Sequence, residues 1–191
     1  MLGLAGGVGG GKSTVAALFR KWGARVVDAD ALGHRVLEDP RVRARLVRLF
    51  GDEILRDGRV DRRALAARAF RSRRSVERLN RTVHPAILRA LRAALRRGRG
   101  WVVLDAALLF ETGADALCDR IVYVHAPRAE RERRVRARGW APGELARRER
   151  FQLPPAYKRK KADFVVNNAG PPASTASQAR KIFGELRKLV P

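Results

Sequence analysis

Eight residues near the start of the chain, Gly6-Gly7-Val8-Gly9-Gly10-Gly11-Lys12-Ser13, fit the pattern G-x-x-x-x-G-K-[ST]. Glycines at this density let successive backbone N–H groups turn inward around an anion. An apolar run precedes the loop and a helix-forming run follows it, so the positive end of that helix adds to the attraction. Lys12 then reaches the β- and γ-phosphates of a nucleotide, and the Ser13 hydroxyl is placed to ligate Mg²⁺. Three carboxylates complete the chemistry-bearing set: Asp28, Asp30 and Asp105, each at or just past the end of a β-branched run. A carboxylate at such an edge is suited to orient a hydroxyl, take its proton, or hold a Mg²⁺-bound water. Each has a structural alternative. Asp28 or Asp30 could cap a helix starting near Ala31, and Asp105 could be a buried aspartate satisfied by backbone N–H groups.

Those residues need strands ending on one edge of a sheet. Short apolar runs at residues 2–5, 25–27, 101–105, 120–124 and 164–166 alternate with helical pattern, the first helix covering 12–22. Short buried strands separated by helices imply a parallel sheet sandwiched between helices, a Rossmann-like three-layer α/β/α core with five strands. Two segments break the rhythm. Residues 40–99 carry no strand signal and read as a helical insertion; Asp61 is a plausible cap for a helix over 62–70, and Pro85 is expected to start another. Residues 127–162 are intensely basic, with Gly139 and Pro142-Gly143 dividing them into two helices. The expected organisation is a nucleotide-binding core (1–39, 100–126, 163–191), a helical acceptor-binding insertion (40–99) and a basic lid (127–162).

At 191 residues the chain suits one domain, or one core with insertions, and no apolar run approaches a membrane span. There is no leader-like pattern at the first residues, and the one cysteine, Cys118, rules out an intramolecular disulfide and a cysteine-rich metal site. A cytoplasmic location is expected, with no membrane partner and a monomeric state. The balance of 42 Lys+Arg against 19 Asp+Glu gives a formal net charge of +23, with only seven lysines. Such charge suits a polyanionic partner. The arginines, however, are scattered through nearly every helical segment, and aromatic residues are sparse at 6%, so a nucleic-acid role is not expected. A guanine-specificity Asn-Lys-x-Asp segment is missing, which argues against a GTPase, and the chain is short for a motor or helicase. A small kinase with an inserted acceptor site and a basic lid remains.

Several segments together resemble the dephospho-CoA kinase family. "GLAGGVGGGKSTVA" is similar to its opening, with Ala5, Val8 and Gly10 as substitutions; "VVDAD" resembles its Asp-Ala-Asp element. "LNRTVHP", "LDAALLFE", "RRERFQ" and "KKADFVVNNAG" resemble later elements in the same order, from residue 2 to residue 170. Ala107 stands where the family usually has proline, and Arg131 where glutamine is common. The resemblance implies ATP and Mg²⁺, and transfer of the γ-phosphoryl group to the ribose 3′-hydroxyl of dephospho-CoA. Asp30 is then the residue that receives the hydroxyl proton, with Lys12 and Arg134 stabilising the transferring charge. Gly7, Gly9, Gly10, Gly11, Lys12, Ser13, Thr14, Arg138, Arg148, Asn168 and Gly170 are implied on the nucleotide. Asp28, Asn80, His84, Leu108 and Glu111 are implied on the acceptor, and Ser13 with Asp105 on the metal. Glu111 and Leu108 could equally be core, and His84 a packing residue. A kinase for another nucleoside or nucleotide, or a basic nucleic-acid-binding protein, is the alternative.

Overall fold

The computed structural model describes residues 1–95 and 100–188, so the ends of two expected segments, 96–99 and 189–191, lie outside the described residues. The described chain divides into two compact units, one of Met1–Asp28 with Arg99–Pro191, the other of Ala29–Gly98.

The first unit is built on five parallel strands: β1 (Leu2–Gly6), β2 (Arg25–Asp28), β5 (Val102–Asp105), β6 (Arg120–His125) and β7 (Phe164–Asn167). Their order is β2-β5-β1-β6-β7, with β1 central and buried along its whole length. A strand covered on both faces has no use for alternation, which is why Leu-Gly-Leu-Ala-Gly reads as an unbroken apolar run. On one face, helices α1 (Lys12–Lys21) and α9 (Pro172–Lys188) cover the sheet. Val15, Phe19, Ala179, Ile182, Phe183 and Leu186 pack there against Leu2, Leu4, Val103, Val122, Val124 and Val166. On the other, Gly3 is so closely approached that a Cβ would lie 2.8 Å from Cys118 Sγ and 2.9 Å from Leu109. The five expected strands are all present, each within two residues of its expected ends.

After β6 come α6 (Arg128–Ala137), α7 (Glu144–Glu149) and α8 (Pro155–Lys160). Three helices therefore occupy the arginine-rich segment where two were expected. Pro154-Pro155 accounts for the third, because proline with its fixed φ suits a first helical turn. α8 packs against β1 and β6.

The second unit holds α2 (Ala29–Leu37), α3 (Pro40–Phe50), α4 (Arg62–Ala69) and α5 (Arg73–Leu95). It starts at Ala29, ahead of the boundary expected at residue 40, because α2 packs on α5. Its core joins Val36, Val42, Leu46, Phe50, Ile54, Leu65, Ala69, Val83 and Ala86. Asp61 caps α4 as expected, accepting from the Arg63 and Ala64 N–H groups at 2.7 and 3.2 Å. Two expectations fail here. A two-stranded hairpin, β3 (Leu55–Arg56) with β4 (Arg59–Val60), stands where no strand was expected. Its loop residues Asp57 and Gly58 both have positive φ, 51° and 71°, the geometry that Asp-Gly supplies in the tightest hairpins. Pro85 does not start a helix but lies inside α5. It withholds a donor from the Arg81 carbonyl, yet Leu79, Val83, Ala86, Ile87 and Ala90 form a stripe at helical spacing on the unit's core. Packing of that stripe outweighs the break.

Candidate active site

The loop between β1 and α1 takes its shape from local geometry. Gly9 and Gly11 have φ of 75° and 93°, a region costly to any residue with a Cβ, and the Gly10 N–H closes a turn onto the Gly7 carbonyl at 2.9 Å. Thr14 N–H donates to Gly11 O at 3.0 Å, so the helix begins at once and Lys12 and Ser13 occupy its first turn. The first turn carries no acidic residue, and its side-chain cap is absent, which leaves the helix end to an incoming anion.

Asn168 and Arg134 hold the loop from outside. Asn168, buried just after β7, donates from Nδ2 to the Gly10 carbonyl at 2.9 Å and accepts from Thr175 Oγ1 at 2.8 Å. Arg134 on α6 donates to the Asn168 carbonyl at 2.7 Å and to the Gly10 carbonyl at 3.4 Å, while its Nε lies 2.8 Å from Glu130. The neighbouring guanidinium of Arg133, with that of Arg134, holds the Glu130 carboxyl down at about 2. Both ends of the Asn168 amide are thus engaged within the protein. Gly170 is exposed in the turn before α9.

Asp28 and Asp105 are direct partners in the β2–β5 register, and Asp105 also pairs with Leu4 of β1. Partners in a parallel register project on the same face, so two carboxylates stand side by side at the sheet edge beside the strand that feeds the loop. Hard oxygen donors in this number, with the Ser13 hydroxyl, fit Mg²⁺, which takes one or two carboxylates and keeps several waters.

Glu111 is not ordinary core. It forms a buried ion pair with Lys158 at 2.6 Å and accepts from the Leu153 N–H at 2.9 Å, and Lys158 also reaches Gln152 Oε1 at 3.2 Å. The pair straps α8 to the segment after β5. Glu111 Oε2 is buried with no protein partner. Leu108 is exposed nearby in sequence, and Phe110 meets Tyr157 edge to face. Of the other arginines singled out, Arg138 is exposed at the end of α6, and Arg148 stacks 4.0 Å over Trp140 while pairing with Glu144.

Asp30, Asn80 and His84 belong to the second unit. Asp30 is exposed in the first turn of α2; Asn80 and His84, four residues apart, share one face of α5. Burial lowers the His84 pKa, so its ring is neutral at pH 7. The same unit has a cavity of about 490 Å³ lined by His34, Glu38, Arg43, Arg59 and Arg62. Arg62 lies 2.8 Å from His34 Nε2, and Arg43 donates to the Gly58 carbonyl. Sequence reasoning missed this cluster, and also Lys158 and the burial of Arg131; in a chain so rich in cations, no local pattern marks the few that turn inward.

A parallel sheet with a phosphate loop after its central strand, a carboxylate ending the adjacent strand, and arginine-bearing helices beyond is the architecture of a P-loop kinase. A shikimate kinase from Acinetobacter baumannii shares the fold, with a TM-score of 0.59 at 14% identity over 99% of this chain and 93% of its own. The model of the dephospho-CoA kinase family matches residues 1–173, and the chain belongs to that family. The dephospho-CoA kinase of Anaeromyxobacter dehalogenans is 44% identical over 98% of this chain and 92% of its own length. That of Thermus thermophilus is 40% identical over 97% and 91%. A crystal structure from Thermus thermophilus superposes with a TM-score of 0.86 at 41% identity, covering 97% of this chain and 96% of that one.

Proposed function

We propose that the chain transfers the γ-phosphoryl group of ATP to the ribose 3′-hydroxyl of dephospho-CoA, giving coenzyme A and ADP. The observation that carries this reading is the pre-shaped phosphate loop beside the Asp28–Asp105 pair, in a chain that belongs to this family. The loop's N–H groups and Lys12 hold the β- and γ-phosphates. Ser13 and Asp105 would hold Mg²⁺, which when bound neutralises charge on the phosphate oxygens, and Asp28 beside Asp105 would hold a Mg²⁺-bound water or the acceptor. The Asp30 carboxylate orients the 3′-hydroxyl and receives its proton as the oxygen–phosphorus bond forms and the bond to the β-phosphate oxygen breaks. Arg134 offers a cation at the loop; Arg138 and Arg148 are exposed on the segment proposed to close as a lid. Asn168 and Gly170 border the adenine end. Asn80 and His84 face the acceptor from α5, and the arginine-lined cavity suits its diphosphate. Leu108 and Glu111 lie beside its pantetheine arm. We place the reaction in the cytoplasm, with a monomer acting on two small molecules; among the described residues no helix is long and apolar enough to cross a membrane.

The test is ADP release from Mg·ATP with dephospho-CoA, set beside adenosine, AMP, dCMP and dTMP. Turnover of dephospho-CoA with a product phosphorylated on the 3′-oxygen is expected. Turnover of another acceptor alone would keep the kinase and discard the substrate.

A further inference from the structure

Arg131, on α6, is only 7% exposed, although it is one of 42 cations on a strongly basic chain. Its Nε donates to the Ala126 carbonyl at 3.2 Å and its Nη1 to the Val8 carbonyl at 3.3 Å, inside the phosphate loop. The same guanidinium is ion-paired with Glu149, at the end of α7. The fit around it is tight. A Cβ on Gly7 would lie 2.9 Å from Nη1, and one on Gly9 would lie 2.9 Å from the Arg131 carbonyl and 3.1 Å from Val135. A buried guanidinium is costly unless paired, so the carboxylate of Glu149 is what lets it sit there.

The peptide plane converts this contact into a functional one. In a trans peptide the carbonyl of one residue and the N–H of the next point in opposite directions. A donor that holds the Val8 carbonyl outward therefore turns the Gly9 N–H the other way. Arg134 and Asn168 do the same at the Gly10 carbonyl, and so for the Gly11 N–H. Two peptide planes of one loop are held from behind by three side chains.

We propose that Arg131 is a positioning residue for nucleotide phosphates: through the Val8 carbonyl it sets the Gly9 N–H toward the anion before ATP arrives, and Glu149 keeps it in place. Loop shape is thereby tied to α7, so the arginine-rich segment and the phosphate cradle are one preorganised device. This goes beyond the acceptor assignment and stands on nucleotide binding alone.

The test is the Kd of Mg·ATP and of ADP, measured directly without acceptor, for Arg131→Met/Glu149→Gln, Arg131→Gln and the exposed control pair Arg128→Met/Glu132→Gln. Removing both buried partners avoids stranding a charge, so the double variant is expected to fold. Its Kd for both nucleotides should rise about tenfold, the scale of one hydrogen bond from a charged donor. Arg131→Gln keeps a donor and should fall between the double variant and the parent; it also serves if the double variant does not fold. In turnover, KM for ATP should rise while kcat at saturating ATP and KM for dephospho-CoA stay within about threefold. The control pair should leave every value unchanged. Parental nucleotide affinity in the folded double variant would overturn the proposal. So would parallel rises in both KM values with a lowered Tm, because a merely structural role produces that pattern.

Discussion

Lys12 and Asp30 separate two kinds of contribution to one reaction. Lys12→Met removes a cation from the transferring phosphoryl group while leaving an unbranched apolar stem. Turnover should fall at least about 10²–10³-fold with the melting temperature unchanged. Asp30→Asn should lower kcat far more than it raises KM, since the lost proton acceptor matters in the transition state; a change confined to KM would make Asp30 a binding residue. His84 bears on stability. Its folded pKa lies below the unfolded value near 6.5, so the unfolded chain gains the proton first as pH falls. Stability from this group is present above about pH 6.5 and declines below it, and His84→Gln should flatten that part of a Tm–pH profile. Legibility at this scale followed motif membership. The loop glycines, Lys12 and Ser13 announce themselves by spacing, and Asp28 and Asp105 by ending β-branched runs. Lys158 and Arg131 do not, because what distinguishes them is burial, and burial of one cation among many leaves no trace in composition.

Helices and strands here follow their local signals except where packing or a turn overrides them. Asp39 caps α3, accepting from the Arg41 and Val42 N–H groups at 2.7 and 3.3 Å ahead of Pro40. Asp39→Ala should cost about 1 kcal/mol, read as a shift in urea midpoint with an unchanged m-value. The five parallel strands were legible because buried strands are continuous apolar runs bounded by turn residues. The hairpin of β3 and β4 was not, although Asp57-Gly58 carries its turn chemistry; two-residue strands are too short to show alternation. Pro85 differs for the opposite reason. Proline locally favours a first helical turn, while the stripe from Leu79 to Ala90 on the core carries α5 through it.

At the scale of the molecule the net charge of +23 is the dominant electrostatic fact. In the arginine-rich segment it is partly answered within single helices, by Arg128 with Glu132, Arg133 and Arg134 with Glu130, and Arg147 and Arg148 with Glu144. Pairs such as Arg128 with Glu132, exposed on both sides, contribute little, and self-repulsion across the surface remains. Raising NaCl from about 0.05 to about 0.5 M should therefore raise the melting temperature; a fall would mean that ion pairs outweigh repulsion. A change of rhythm in the sequence marks the helical segment apart from the strand-bearing one; the two compact units divide at Asp28–Ala29 rather than at residue 40, and the basic segment 127–162 belongs to the sheet-based unit. The strand order also dictates a timetable. The central strand comes first in the chain, yet Leu2 finds its neighbours only at Val103 and Arg120. On the ribosome that apolar strand must wait while Ala29–Gly98, a compact unit by itself, leaves the exit tunnel and can condense. Condensation of that intervening segment shortens the effective loop between the strand and its partners, so a helical insertion that reads as an accessory to the sheet also becomes the step that makes its closure affordable in entropy.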